Sequence, residues 1–128
     1  VEGDRQPIYH TNVMMCIAET FSVICLDSID EKHDNTNVIK HFKESKKEII
    51  EIIEDQMANF TGKMLQVRGK DEKRILVMSQ SAHDSLTSLQ ISKISMHCEI
   101  LSCPLETIET CGGGSARCMM AEVFLPKK

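Results

Sequence analysis

A mixed α+β fold is what this sequence predicts, and three observations carry the prediction. Runs with strand character outnumber helical ones, and helical segments separate pairs of strands. The regular strand–helix–strand alternation of a doubly wound sheet is absent. The 128 residues suffice for one modest core, and no linker or low-complexity segment interrupts them. One domain over residues 1–128 is the simplest organisation.

Taken in order, "HTNVMMCIA" (10–18) and "TFSVICLDSI" (20–29) are β-rich runs meeting at Glu19 and Thr20, which predicts an antiparallel hairpin. The polar break "DEKHDNTN" (30–37) precedes Val38, Ile39 and Phe42 at helical spacing, predicting a surface helix to about Lys47. "EIIEII" (48–53) is short and β-branched and reads as a strand, and "EDQMANF" (54–60) as one or two helical turns. "KMLQVRG" (63–69) and "RILVMSQ" (74–80) flank a charged turn and predict a second hairpin. Ser81 and Thr87 each precede helix-compatible residues and start short helices. "CEILSCPL" (98–105) is a strand ending near Pro104. A run of three glycines then leads to a final predicted strand, "CMMAEVFL" (118–125).

Composition bounds the function. Apolar residues are 41% and charged residues 27%, ordinary for a soluble globular protein. The net charge of −4 argues against nucleic acid or an anionic membrane surface as partner. Aromatics are 4% with no Trp, a poor supply for stacking bases. No apolar run approaches the roughly 18 residues of a membrane span. Six Cys are too few for a disulfide scaffold. Cys16 and Cys25 lie within apolar runs as small buried thiols, which points to a reduced, cytoplasmic protein.

Gly112, Gly113 and Gly114 permit positive φ and close approach of backbone to a ligand. The spacing of a nucleotide-binding loop is absent, so a tight turn or bulge entering a strand is the plain reading. Cys118 follows directly after Arg117. A nearby cation and free amides favour a reactive thiolate, and a structural Cys at a strand start is the commoner alternative. His10 opens the first strand-like run, and Asn12 would share its face, a pair suited to a polar substrate or to a polar strand end. His33, His41, His83 and His97 read as surface. Cys98, Cys103, Cys111 and Cys118 are spaced more loosely than a zinc site prefers, and Cys111 and Cys118 stand further apart than a C-x-x-C redox pair, which leaves both as weak options.

"PIYHTNVMMCI", "QMANFTGKMLQVRG", "RILVMSQSAHDSL" and "GGGSARCMMAEVFLP" together resemble the amidinotransferase/arginine deiminase (pentein) superfamily, nearest its citrulline-utilisation hydrolase branch. The resemblance runs through nearly the whole chain in order, and the last motif is the most specific. It implies part of a five-bladed α/β propeller, about half of the blades, corresponding to the C-terminal half of the catalytic domain. It implies Cys118 as nucleophile and His10 as general acid/base, with Asn12, Gly113, Gly114 and Ser115 at the substrate. The chemistry implied is hydrolysis or amidino transfer at a guanidino or ureido carbon of an arginine- or citrulline-like amino acid. The partners implied are that small-molecule substrate and the missing N-terminal half, another chain or a second copy; neither nucleic acid nor membrane is among them. The resemblance implies no metal and no organic cofactor. Many relatives carry His-x-Asp where His10-x-Asn12 stands here, and relatives carry Gly-Asn where Gly62-Lys63 stands. They are also longer, with catalytic carboxylates in their N-terminal half. A non-catalytic interaction module derived from the same fold, or an inactive fragment, is the alternative.

Overall fold

A computed structural model describes residues 6–126. β1 (Met15–Ile17) and β2 (Phe21–Ile24) pair antiparallel in register Met15↔Ile24, turning at Glu19 and Thr20 as the β-rich runs predict. The helix α1 (Lys32–Glu44) carries the chain back to β3 (Glu48–Glu51), which lies parallel to β2. A short helix, α2 (Glu54–Ala58), follows. The second half repeats this plan. β4 (Leu65–Arg68) and β5 (Arg74–Ser79) pair antiparallel, and α3 (Gln80–Ser85) and α4 (Ser88–Ser95) return the chain to β6 (Glu99–Cys103), parallel to β5. Another short helix, α5 (Glu106–Gly112), closes the unit. Two three-stranded sheets of identical topology are thus related by a structural repeat that no sequence self-similarity announced.

Both units contribute to one core. Phe21, Val23, Ile50 and Ile52 from the first pack with Met64, Leu76, Met78 and Ile94 from the second. Burying side chains of this size is worth about 1.5–3 kcal/mol each. On the other face of the first sheet, Ile24, Leu26 and Phe42 form a smaller cluster under α1, with Val38 and Ile39 packed against it. The first hairpin turn is tied to both neighbours. The Glu19 carboxylate takes a two-pronged contact from Arg74, at 2.8 and 2.9 Å, and Lys47 Nζ donates to the Ala18 and Glu19 carbonyls at 2.7 Å.

Several elements depart from expectation. The helix α1 starts six residues before Val38, because its first turns face solvent and carry no apolar period. The residue that caps α3 is Ser79, not Ser81: its Oγ accepts from Ala82 N at 3.1 Å. Thr87 caps α4 as expected, its Oγ1 accepting from Gln90 N at 3.2 Å while Gln90 Oε1 accepts from Thr87 N. The final strand over 118–125 does not form. Residues 116–119 make a 3-10 turn and 120–126 join no sheet ladder, leaving Val123, Phe124 (87% exposed) and Leu125 in solvent. A strand is stable only as part of a pair, and no described strand edge pairs with this segment. No helix among the described residues is long and apolar enough to cross a membrane.

Candidate active site

His10 and Cys118 lie 108 positions apart, and the structure connects their surroundings through the loop between α2 and β4. His10 is in extended conformation and caps a 3-10 turn, Thr11–Val13; its carbonyl accepts from Val13 N at 3.1 Å. Its exposed ring meets the Tyr9 ring edge-on at 4.8 Å. Asn12 therefore sits in a turn and not on a strand. The shared strand face expected for His10 and Asn12 does not exist, because neighbours two apart in a 3-10 turn diverge. Gly62 presses against the same turn: a Cβ there would lie 2.3 Å from the Val13 carbonyl oxygen.

Lys63 is the link. It is 6% exposed, and its Nζ donates to the Gly113 carbonyl at 2.7 Å. The ammonium lies 6.0 Å from the Tyr9 ring centroid and 5.6 Å from that of Phe60, within range of cation–π attraction. The Lys63 carbonyl accepts from Arg117 N at 3.2 Å. One residue thus holds both the helix stop before the cysteine and the turn that carries it, while touching the neighbour of His10.

The glycine run ends a helix instead of entering a strand. Gly113 has φ 67°, a left-handed cap to α5 that glycine adopts without a Cβ clash, and its amide donates to the Glu109 carbonyl at 3.1 Å. Gly114 faces the thiol: a Cβ there would lie 3.5 Å from Cys118 Sγ. Ser115 is fully buried with its Oγ unpartnered, and its carbonyl accepts from Cys118 N at 3.0 Å. Ala116 is buried and seats the turn against β5, and Cys118 itself is exposed. Behind the turn, the buried Glu109 carboxylate accepts from Ser79 Oγ at 3.3 Å. His10 and Cys118 make no direct hydrogen bond with each other.

All six cysteines are free. Burial pushes the Cys16 thiol up to about 12; the Arg117 guanidinium opposes the rise and Cys98 adds to it. Burial also raises Cys25 and Cys98. The Arg117 guanidinium, expected beside Cys118, thus acts on the buried Cys16 thiol. Among the described residues no group of three or more His, Cys, Asp or Glu is placed to hold a metal ion.

His97 corrects the surface reading. Its side chain is 18% exposed and sits at the joint between the two units. Nδ1 pairs with Thr20 Oγ1 at 2.7 Å, Nε2 with Glu48 Oε2 at 2.6 Å, and the ring lies 4.8 Å from that of Phe21. Its partners are 77 and 49 positions away, so no local pattern could reveal the cluster.

A family match and a fold likeness together place the chain in a class, the pentein superfamily. The chain belongs to the family described as N,N dimethylarginine dimethylhydrolase, eukaryotic, whose model matches residues 1–125. Among solved structures, it is similar to the apo form of ArgZ, an arginine dihydrolase from the ornithine-ammonia cycle in cyanobacteria. That match has a TM-score of 0.68 at 18% identity and covers 92% of this chain. The chain spans 17% of the length of ArgZ. No curated protein matches it.

Proposed function

We propose that this chain is the C-terminal portion of a cysteine-dependent hydrolase acting on the guanidino or ureido group of an arginine-type amino acid, methylated arginine or citrulline included. The observation that carries the reading is the Lys63 link, with Nζ on the Gly113 carbonyl and its charge over the Tyr9 ring beside His10. In this reading the two units are two blades of the propeller. The rest, with the carboxylates that complete the site, comes from an N-terminal half or another chain. The protein works in the cytoplasm without metal or organic cofactor.

The chemistry runs in two steps. Cys118 sulfur attacks the guanidino or ureido carbon, forming a C–S bond. The C–N bond to the leaving amine breaks as His10 donates a proton to that nitrogen. Water then attacks the S-linked carbon, giving its proton to His10, and the C–S bond breaks to restore the thiolate. Gly114 leaves open the space beside the sulfur that a side chain would fill. In this reading Asn12, Gly113, Gly114 and Ser115 line the substrate's path to the thiol. Amidino transfer differs only in an amine replacing water in the second step.

A second reading, a non-catalytic interaction module, draws on the exposed Val123–Phe124–Leu125 tail and the absence of a direct His10–Cys118 bond. Thiol mapping separates the two. Under iodoacetamide at pH 7, Cys118 is expected to react faster than Cys111, which is also exposed, to be protected by an arginine- or citrulline-type ligand, and to lose the label in Cys118→Ser. Equal rates at the two sites with no protection would leave only the interaction module.

A further inference from the structure

We propose that a second copy of this chain docks head to tail on the first, repeating between copies the interface that joins the two units within one. This names the other chain of the proposed function as a second copy. It makes no use of Cys118, so either reading can fail alone.

The ladders fix which residues of the two units correspond. Both parallel pairings begin on a glutamate, Phe21↔Glu48 in the first unit and Ile75↔Glu99 in the second. From those pairs, Val23 and Ile50 correspond to Val77 and Leu101, and Ile24 to Met78. Val23 and Ile50 are fully buried because that face of the first sheet packs with Leu76, Met78 and Ile100 of the second. The matching face of the second sheet has no such cover: Val77 is half-buried and Leu101 is 49% exposed.

The other end of the stack is open as well. A groove of about 430 Å³ lies between α1 and β1, lined by Met14, Met15, Ile17, Ile24, Val38 and Phe42, and its accessible surface is almost wholly apolar. Met15, paired with Ile24, corresponds to Met64 of the second unit. Met64 and Met78 are fully buried, packed with Phe21, Val23 and Ile50 of the first sheet. Each open face is therefore the counterpart of one side of an interface the chain already forms. A stack of repeats needs a polar outer face to end it, and neither end here has one.

Charge favours the same docking. At the rim of the internal interface, Glu48 pairs with His97 Nε2 at 2.6 Å. Glu99 stands in the place of Glu48, and Lys46, two residues before its ladder as His97 is before its own, in the place of His97. Lys46 and Glu99 are both exposed, so docking brings Lys46 of one copy against Glu99 of the next. The Lys73 contact that Glu99 makes within its own chain, at 3.2 Å, is between exposed groups and holds it weakly. A second copy supplies the matching apolar face and the matching charge together.

Sedimentation velocity of the full chain at rising concentration tests this. The wild type is expected to associate, with every open pair leaving one free face at each end. Leu101→Lys blocks one face and Ile17→Lys the other, both at side chains about half exposed, where a lysine is tolerated by the fold. Each variant alone is expected to be a monomer. Their equal mixture is expected to give a heterodimer and nothing larger, through the one pair of intact faces. An Ile17→Lys variant that still dimerises alone indicates contact between like faces and overturns the proposal. A wild type that stays monomeric at about 100 μM overturns it too, and leaves both faces to a different chain. Should a lysine variant not fold, the charge pair gives a second readout. Lys46→Glu and Glu99→Lys are each expected to weaken association about 2- to 5-fold, and the double variant to restore it. No recovery in the double variant overturns the head-to-tail contact. The alkylation of Cys118 decides the proposed function separately.

Discussion

Substituting Gly62 by Ala tests how the His10 turn is held. The added Cβ would lie 2.3 Å from Val13 O, 2.7 Å from Val13 C and 3.0 Å from Met14 C. All three are backbone atoms, so no rotamer change relieves the overlap and the 11–14 turn must move by about an ångström. Overpacking of this kind costs about 1–3 kcal/mol, and a rigid backbone obstacle puts it at the upper end. Gly62 has no positive φ, so the loss of unfolded-state freedom on going to Ala returns about 0.4–1 kcal/mol. The net expectation is a loss of about 2 kcal/mol. The displacement also strains the Met14 carbonyl, which accepts from Cys25 N at 2.9 Å at the end of β2. Urea unfolding of the full chain measures the loss, and the alkylation rate of Cys118 reports whether the Lys63 link is disturbed. The glycine run supplies internal controls. A methyl on Gly112 would meet nothing within 4 Å, and the residue lies at the end of α5, so Gly112→Ala is expected to be neutral or to stabilise by up to about 1 kcal/mol. Gly113→Ala costs about 1–2 kcal/mol for the left-handed conformation alone. Gly62→Ala unfolding at the wild-type midpoint, or Gly112→Ala proving the most damaging of the three, would refute the steric argument.

The joint between the two units makes a second test. His97→Ala removes the bond to Thr20, worth about 1 kcal/mol, and the ring contact with Phe21, worth about 1 kcal/mol. It also removes a bond to the half-exposed Glu48 worth less than 1 kcal/mol after solvent screening. A loss of about 2–3 kcal/mol in urea unfolding is expected, and a loss under 0.5 kcal/mol would mean the cluster does not hold the joint. The buried thiols predict alkaline sensitivity. Cys16 stands at about 12 in the folded chain against an ordinary value of 9.0, so its contribution is complete below pH 9 and is lost as pH rises from there toward 12, where the unfolded chain alone has released the proton. Cys25 and Cys98, raised in the same direction, add to the slope. Stability is expected to fall by up to about 1.4 kcal/mol per pH unit for Cys16, and Cys16→Ala should be less stable at pH 8 but show a shallower alkaline slope. Parallel slopes for the two proteins under reducing conditions would rule this out.

Legibility in the sequence followed the range of each interaction. Both hairpins were readable, because β-branched runs and short polar breaks act within a dozen residues. The cap of α4 was readable because Thr87 acts within its own first turn. The helix α5 was hidden in "ETIETCG", whose apolar content is too sparse to set a period, and the glycines after it read equally well as the start of a strand. The tail "CMMAEVFL" has strand composition and no strand, since composition supplies only one side of a ladder. At the candidate site, the reactive-type residues stood out by kind and motif, and Lys63 stood out as a departure from the Gly-Asn of relatives, but its contact with the Gly113 carbonyl, 50 positions on, did not.

The sequence by itself determined the α+β class, the two hairpins, the buried thiols and the cysteine turn that marks the superfamily, all properties of local pattern or of residues read in order. Only the tertiary structure decided that the two units repeat one topology, that the glycines stop a helix, and that His97 ties the units together. It also decided that Lys63 spans from the Tyr9 ring to the Gly113 carbonyl. The glycine stop is local, and the sequence left it open only because α5 has no apolar period; the others share a physical reason. The parallel pairings join residues more than 20 positions apart, the Lys63 and His97–Thr20 bonds span 50 and 77 positions, and the free energy of such contacts exists only once the sheets have formed.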